Sequence, residues 1–174
     1  MTQKARRPQF IIRPMRRKDA PAMERMMAEL AAFHKDKAVA TAEHFIAYCL
    51  GAHRLNRAWI AFVGKAPVGF AVTYDWMNFV RGKPARTIDL LYVEKAFRGQ
   101  GVGKSLVATI AQDSLKKGLL RLNVSAAKAN AKANEFYKRL GFEKGVNRSH
   151  KYALEAPALS RLAKAKTLLP PKLG

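Results

Sequence analysis

Residues 86–106 read RTIDLLYVEKAFRGQGVGKSL. The passage from strand to glycine turn to helix constrains the fold more than any other part of the chain. The first ten residues carry an apolar run, Ile88–Val93, broken only by Asp89, and read as an interior strand. Gly99, Gly101 and Gly103 then stand at alternate positions, and Val102, Leu106, Val107 and Ile110 recur at helical spacing up to Lys116–Lys117, with Gly118 as the stop. A strand that enters a helix through such a turn leaves several backbone N–H groups without partners. The helix dipole adds partial positive charge, and glycines let phosphate oxygens approach the backbone. Arg98 and Lys104 flank the turn with formal charge, so in physical outline it is a pyrophosphate site. Two familiar phosphate motifs do not fit. A P-loop needs GxxxxGK[ST], and the dinucleotide fingerprint GxGxxG opens the first βαβ unit of a doubly wound sheet. Here the pattern is GxGxG, late in the chain.

The remaining segments predict an α/β order. FIIRP (10–14) is a short strand stopped by Pro14. In the following segment Asp19 is placed to cap a helix with Pro21 in its first turn. Met23, Met26, Met27, Leu30 and Phe33 fall on one face, which predicts core packing rather than a binding groove. TAEHFIAYCL (41–50) predicts a second helix, capped by Thr41 and followed by Gly51. RAWIAFV (57–63) and VGFAVTYDW (68–76) predict an antiparallel hairpin through GKAP, with VRGKPA (80–85) as the next turn. After the glycine-led helix come a strand at 119–126, a helix at 130–142 capped by Asn130 and closed by Gly141, and a strand at 149–155. The order β-α-α-β-β-β-α-β-α-β implies one α/β domain with a mixed sheet over residues 10–155. A flexible basic arm precedes it (1–9) and a basic, amphipathic tail follows (156–174).

Charge and composition narrow the partners. Lys and Arg number 33 against 12 Asp and Glu, a net charge of +21. Such a field attracts polyanions, nucleic acid among them. The basic residues are nevertheless spread along the whole chain, as on any soluble basic protein. Cys49 is the single cysteine, so an intrachain disulfide is excluded and a reducing compartment is natural. No apolar run approaches ~18 residues, and MTQKARRPQF lacks the apolar stretch of a signal peptide. The expectation is a cytoplasmic protein without a membrane contact, and no residue is assigned to a metal.

Arg98-Gly99-Gln100-Gly101-Val102-Gly103 resembles the (Q/R)-x-x-G-x-(G/A) signature of the GCN5-related N-acetyltransferases, the GNAT superfamily. The family pattern continues with an Asn, an Ala, an aromatic-Tyr pair and LGF. Asn130, Ala133, Phe136, Tyr137 and RLGF (139–142) supply these. The resemblance covers roughly residues 10–155. Within the superfamily the opening strand and helix, IDLLYVEKAFRGQGVGKSL and NEFYKRLGF look like the diamine and thialysine acetyltransferase branch.

The resemblance implies a single GNAT-type domain. Its mixed, mainly antiparallel sheet would splay between strands 4 and 5 to hold acetyl-CoA, and the family commonly forms homodimers. The pantetheine arm would pair with Leu91, Tyr92 and Val93. Arg98, Gly99, Gln100, Gly101, Val102, Gly103 and Lys104 would cradle the pyrophosphate. Asn130, Ala131, Lys132 and Ala133 would line the far side. Acetyl transfer needs a deprotonated amine, a polarised thioester carbonyl and a proton for the departing thiolate. On this resemblance Tyr137 is the general acid, and Asp89 the base that deprotonates the amine, through water. A backbone N–H near Leu91 polarises the carbonyl. Each residue also has a plainer reading, Tyr137 as half of a core aromatic pair and Asp89 as a strand-end acid paired with a nearby Arg or Lys. The acceptor is open. His34 stands where the diamine branch has a Glu, and VNRSHK (146–151) is basic. These departures favour a small amine, or an amino acid carrying a carboxylate, over a polyamine. The alternative is an amine borne by RNA or a protein N-terminus, held through the basic surface.

Overall fold

A computed structural model of the protein describes residues 10–144. The arm (1–9), VNRSHK, the strand expected at 149–155 and the tail (156–174) lie outside the described residues. The chain divides into two compact units, Met1–Leu140 and Gly141–Gly174. The sheet and helices of the described residues belong to the first unit.

Five strands form one sheet in the order β1-β2-β3-β4-β5. They are β1 (Phe10–Pro14), β2 (Arg57–Val63), β3 (Ala66–Asn78), β4 (Lys83–Val93) and β5 (Arg121–Val124). Neighbours among the first four run antiparallel, and β4 and β5 run parallel. The helices are α1 (Ala20–Phe33), α2 (Ala42–Cys49), α3 (Val102–Lys116) and α4 (Ala131–Arg139). The expected α/β mixed sheet and its element order are present throughout the described residues.

Alternation along β3 sets the layers. Phe70 and Val72 point into a core with Met23 and Met26 of α1 and Phe45 of α2. Residues between them face the other side, where Arg86 of β4 reaches Asp113 of α3 at 2.6 Å. Met23, Met26, Ile60 and Phe70 are fully buried, each worth about 1.5–3 kcal/mol of removed apolar surface. The methionine stripe is therefore core, as its spacing implied.

Several expectations need correction. Asp19 does not cap α1 with its side chain. Its backbone (φ −87, ψ −15) already follows the short 3-10 turn Arg17–Asp19, whereas a capping side chain needs extended geometry. Its carboxylate instead accepts from Arg13 at 2.6 and 2.9 Å and from the Arg16 N–H at 2.7 Å, tying β1 to the helix start. Phe33 ends α1 and is 58% exposed rather than core. The turn expected over VRGKPA (80–85) is shorter, because β4 starts at Lys83 and the β3–β4 ladder continues to Asn78↔Lys83. Pro84 sits next to the start of β4, where a missing N–H is tolerated. β4 ends at Val93, and Lys95–Phe97 form a 3-10 turn. β5 is limited to four residues, for a reason that bears on the site.

Candidate active site

β4 contains a joint. Its register with β3 steps from Val72↔Leu90 to Thr73↔Ile88, so Asp89 is the extra residue of a β-bulge. Parallel pairing with β5 stops at the same place, at Ile88↔Val124. Past the bulge, β4 keeps β3 on one edge and has no strand on the other among the described residues. The Glu94 N–H donates across to Val68 O of β3 at 2.9 Å. Backbone alternation therefore turns Tyr92 toward β3, and Leu91 and Val93 toward the open edge. The Val93 carbonyl already accepts from Arg98 Nε at 2.8 Å. Leu91 thus offers both its N–H and its carbonyl to the open edge, and Val93 its N–H.

A cavity of about 440 Å³ occupies the opening. Asp89 and Leu91 line one wall, and Asn130, Ala133 and Tyr137 line another. Asp89 and Tyr137, remote in sequence, thus border one space. The bulge leaves Asp89 exposed, so the burial cost suggested by its apolar neighbours does not arise. Among the described residues Asp89 makes none of the ion pairs that the plainer reading would require. Arg86, the nearest arginine in sequence, is taken by Asp75 and Asp113. Tyr137 is half-buried and packs edge-on against Phe136 at 5.1 Å, so the aromatic pair is real as well. Burial pushes its hydroxyl up to about 12. It therefore holds its proton throughout the neutral range.

The third side of the cavity comes from the end of α1 and the loop after it, including His34, Asp36 and Lys37. Sequence reasoning missed Asp36. The only signal was a carboxylate just past a helix end. Its N–H donates to Ala31 O at 2.9 Å, which folds the loop back over the last turn of α1.

The glycine turn separates into three jobs. Gly99 (φ +76) and Gly101 (φ +99) hold left-handed backbone that side chains resist. Gly103 packs closely, since a Cβ there would stand 3.3 Å from Phe136 Cζ and the ring would have to give way slightly. The turn therefore touches the second motif directly, one residue from Tyr137. The Ser105 N–H is the first in α3 to reach a helical carbonyl, that of Gly101 at 2.9 Å. The N–H groups of Val102, Gly103 and Lys104 have none. Val102 contributes only backbone, because its side chain is buried. Lys104 is exposed. Arg98 and Gln100 turn back on their own segment, Gln100 Nε2 donating to Ala96 O at 2.8 Å. They brace the loop rather than simply lending it charge.

The acetyltransferase (GNAT) family profile matches residues 20–142. The chain belongs to this family. It is accordingly an acyl-transferring enzyme that acts on amines. Over 165 residues the GNAT chain is 27% identical to a thialysine N-epsilon-acetyltransferase of Sus scrofa, covering 88% of this chain and 96% of that protein. It is 33% identical over 86 residues to an uncharacterised N-acetyltransferase of Methanocaldococcus jannaschii. That match spans 49% of this chain but only 38% of the other. Among solved structures it superposes on an integron cassette protein from the mobile metagenome of V. cholerae with a TM-score of 0.73. Identity there is 21%, over 90% of this chain and 98% of that one, so the likeness concerns fold.

The remaining GNAT positions differ in exposure and in role. Asn130 Oδ1 accepts from the Ala133 N–H at 3.1 Å and caps α4. Ala131 and Lys132 are exposed on its first turn. The Tyr92 side chain faces the core, where its hydroxyl donates to Glu29 Oε2 at 2.5 Å. Burial, and then that carboxylate, push it up to about 12. No helix among the described residues is long and apolar enough to cross a membrane. No metal-holding cluster occurs among them.

Proposed function

We propose that the protein moves an acetyl group from acetyl-CoA directly to a primary amine of a small molecule. The observation that carries this is the shared cavity, which both Asp89 and Tyr137 line, where the pairing of β4 with β5 ends. The donor fits the residues present. An amide-bearing arm matches the Leu91 carbonyl and the Val93 N–H on the open edge, which leaves the Leu91 N–H for the reacting carbonyl. A pyrophosphate matches the N–H groups of Val102, Gly103 and Lys104, with Gly99 and Gly101 free of Cβ atoms. Ala131 and Lys132, on the exposed first turn of α4, would flank it with Asn130 and Ala133. Bound acetyl-CoA supplies the acyl group as a thioester.

The chain's own groups do the rest. The Asp89 carboxylate takes a proton from the acceptor ammonium, through water, and frees its lone pair. The Leu91 N–H polarises the carbonyl under attack. Tyr137 Oη gives its proton to the leaving sulfur as the C–S bond breaks, and the second proton of the nitrogen now bonded to the acyl carbon returns to the phenol. The His34–Lys37 loop supplies a further carboxylate, Asp36, beside Lys37 and His34. That mixture suits an amine which also bears a carboxylate, as an amino acid does. The thialysine-acetylating relative supports a small acceptor of this kind. The single cysteine fits a cytoplasmic setting, and a homodimer follows from the family resemblance.

The test is Tyr137→Phe. Turnover should fall about 10²–10⁴-fold while acetyl-CoA affinity stays within twofold. With the hydroxyl at about 12, the wild-type rate should show no descending limb near pH 10 from loss of this proton. Unchanged turnover in the variant would remove Tyr137 as the acid. A second reading, an amine carried by RNA, is favoured by the charge of +21. It requires tRNA binding that weakens steeply with salt.

A further inference from the structure

We infer that Arg98 is a positioning residue that couples the glycine turn to the acceptor-side end of α1, so that each side of the site helps to hold the other. This rests on acetyl-CoA occupying the glycine turn.

Arg98 is anchored from three directions. Nε donates to Val93 O at 2.8 Å, which closes the chain between the open edge of β4 and the turn. The guanidinium carbon lies 5.6 Å from the Tyr92 ring centroid and 5.8 Å from that of Phe33. Tyr92 is itself fixed to α1 through Glu29, and Arg25 of α1 bridges Glu29 and Glu94 at 2.7 and 2.6 Å. The middle of α1 is thus bound firmly to the end of β4. Phe33 is different. It is the last residue of α1, 58% exposed, and its ring meets His34 edge-on at 5.3 Å. His34 begins the loop that lines the cavity. An exposed aromatic at a helix end gains little from burial. Beside the neighbouring His34 ring, its contact with Arg98 is what ties it to the other side of the site.

Ordering either element is then partly done once the other is ordered, which gives positive coupling without a large movement. The coupling is reciprocal in binding free energy. Phe33 should therefore influence donor affinity, although it lies in neither the turn nor the open edge.

The experiment is a double-mutant cycle read by calorimetric titration of acetyl-CoA. Phe33→Leu should weaken binding about twofold to fivefold, the size of an exposed cation–π contact. Phe33→Trp, which restores an aromatic face, should return affinity to within about 1.5-fold of wild type. In an Arg98→Ala background, Phe33→Leu should have no further effect. Gly101→Val serves as the reference for the donor site itself, and it should lose most affinity. If Gly101→Val retains full affinity, the donor does not use this turn, and both the assignment of the turn and the coupling fall. If Gly101→Val loses affinity but Phe33→Leu has no effect, or an effect that persists without Arg98, the coupling alone is overturned.

Discussion

Along β4, Lys83–Ile88 pair with β3 and, from Ala85, with β5 as well, whereas Leu90–Val93 pair with β3 alone and Asp89, the extra residue between them, has no partner on β3. The two halves also treat charge in opposite ways. Arg86, fully buried, accounts for its charge twice, holding Asp75 at 2.6 and 2.9 Å and Asp113 at 2.6 Å, with its guanidinium 5.3 Å from the Trp59 ring. Asp89, three residues on, is exposed and faces a cavity. One strand therefore serves first as scaffold and then as reactive edge, and the bulge is the boundary between them. A continuous ladder would have paired β5 further along β4 and closed the opening that Leu91 and Val93 now face.

If this division is correct, substitutions on the two sides of the bulge should fail in different ways. Asp89→Asn should lower kcat/KM about 10²–10⁴-fold, the range for loss of a general base. Its melting temperature should stay within about 2 °C of wild type, as for other exposed positions. Activity within a few-fold of wild type would show that the amine loses its proton elsewhere. Arg86→Met should do the reverse. It removes the cation that Asp75 and Asp113 share and leaves them only their outer partners, Arg57 at 3.4 Å and Lys117 at 2.7 Å, so stability should fall by about 1–3 kcal/mol, below the fully buried case because solvent and those partners screen both acids. Urea titration measures this, and adding Asp75→Asn with Asp113→Asn should recover part of the loss. The folded fraction should keep kcat/KM within about threefold. If Arg86→Met abolished turnover at full stability, the scaffold half would belong to the active site.

Much of this contrast was legible in the residues, and some of it was not. The glycine turn announced itself because Gly99 and Gly101 need left-handed backbone, a demand local to the chain. The methionine face of α1 was equally plain, since burial repeats with the helical period. The bulge was invisible. Nothing in TIDLLYV marks Asp89 as an extra residue, because a bulge is a property of two strands' registers and not of one sequence. Asp19 misled because it has the right residue type for a cap, while a partner six residues earlier, Arg13, claimed its carboxylate. Phe33 misled because helical periodicity predicts a face and cannot say where the neighbouring element stops covering it. Asp36 went unnoticed because a loop acid has no pattern until the fold brings it to the cavity.

The smallest test lies at the bulge itself. Thr73 pairs with Ile88, adjacent to the extra residue, and its side chain alternates with Val72 to face away from the α1–α2 core. It is fully buried, and its Oγ1 lacks a hydrogen-bond partner among the described residues. A buried hydroxyl left unpaired costs about 1–3 kcal/mol, whereas an apolar group of the same shape carries no such penalty. Thr73→Val should therefore raise stability by about 1 kcal/mol, or roughly 2–4 °C in melting temperature for a protein of this size. Because Asp89 projects into the cavity while Thr73 lies on the α3 face, kcat/KM should change by less than about twofold. A stabilised variant with much lower activity would mean that the hydroxyl helps set the bulge, so that the scaffold half trades stability for the placement of Asp89. A destabilised variant would show that the hydroxyl is satisfied in solution, and that the register step is held by a polar contact as well as by the ladder on either side.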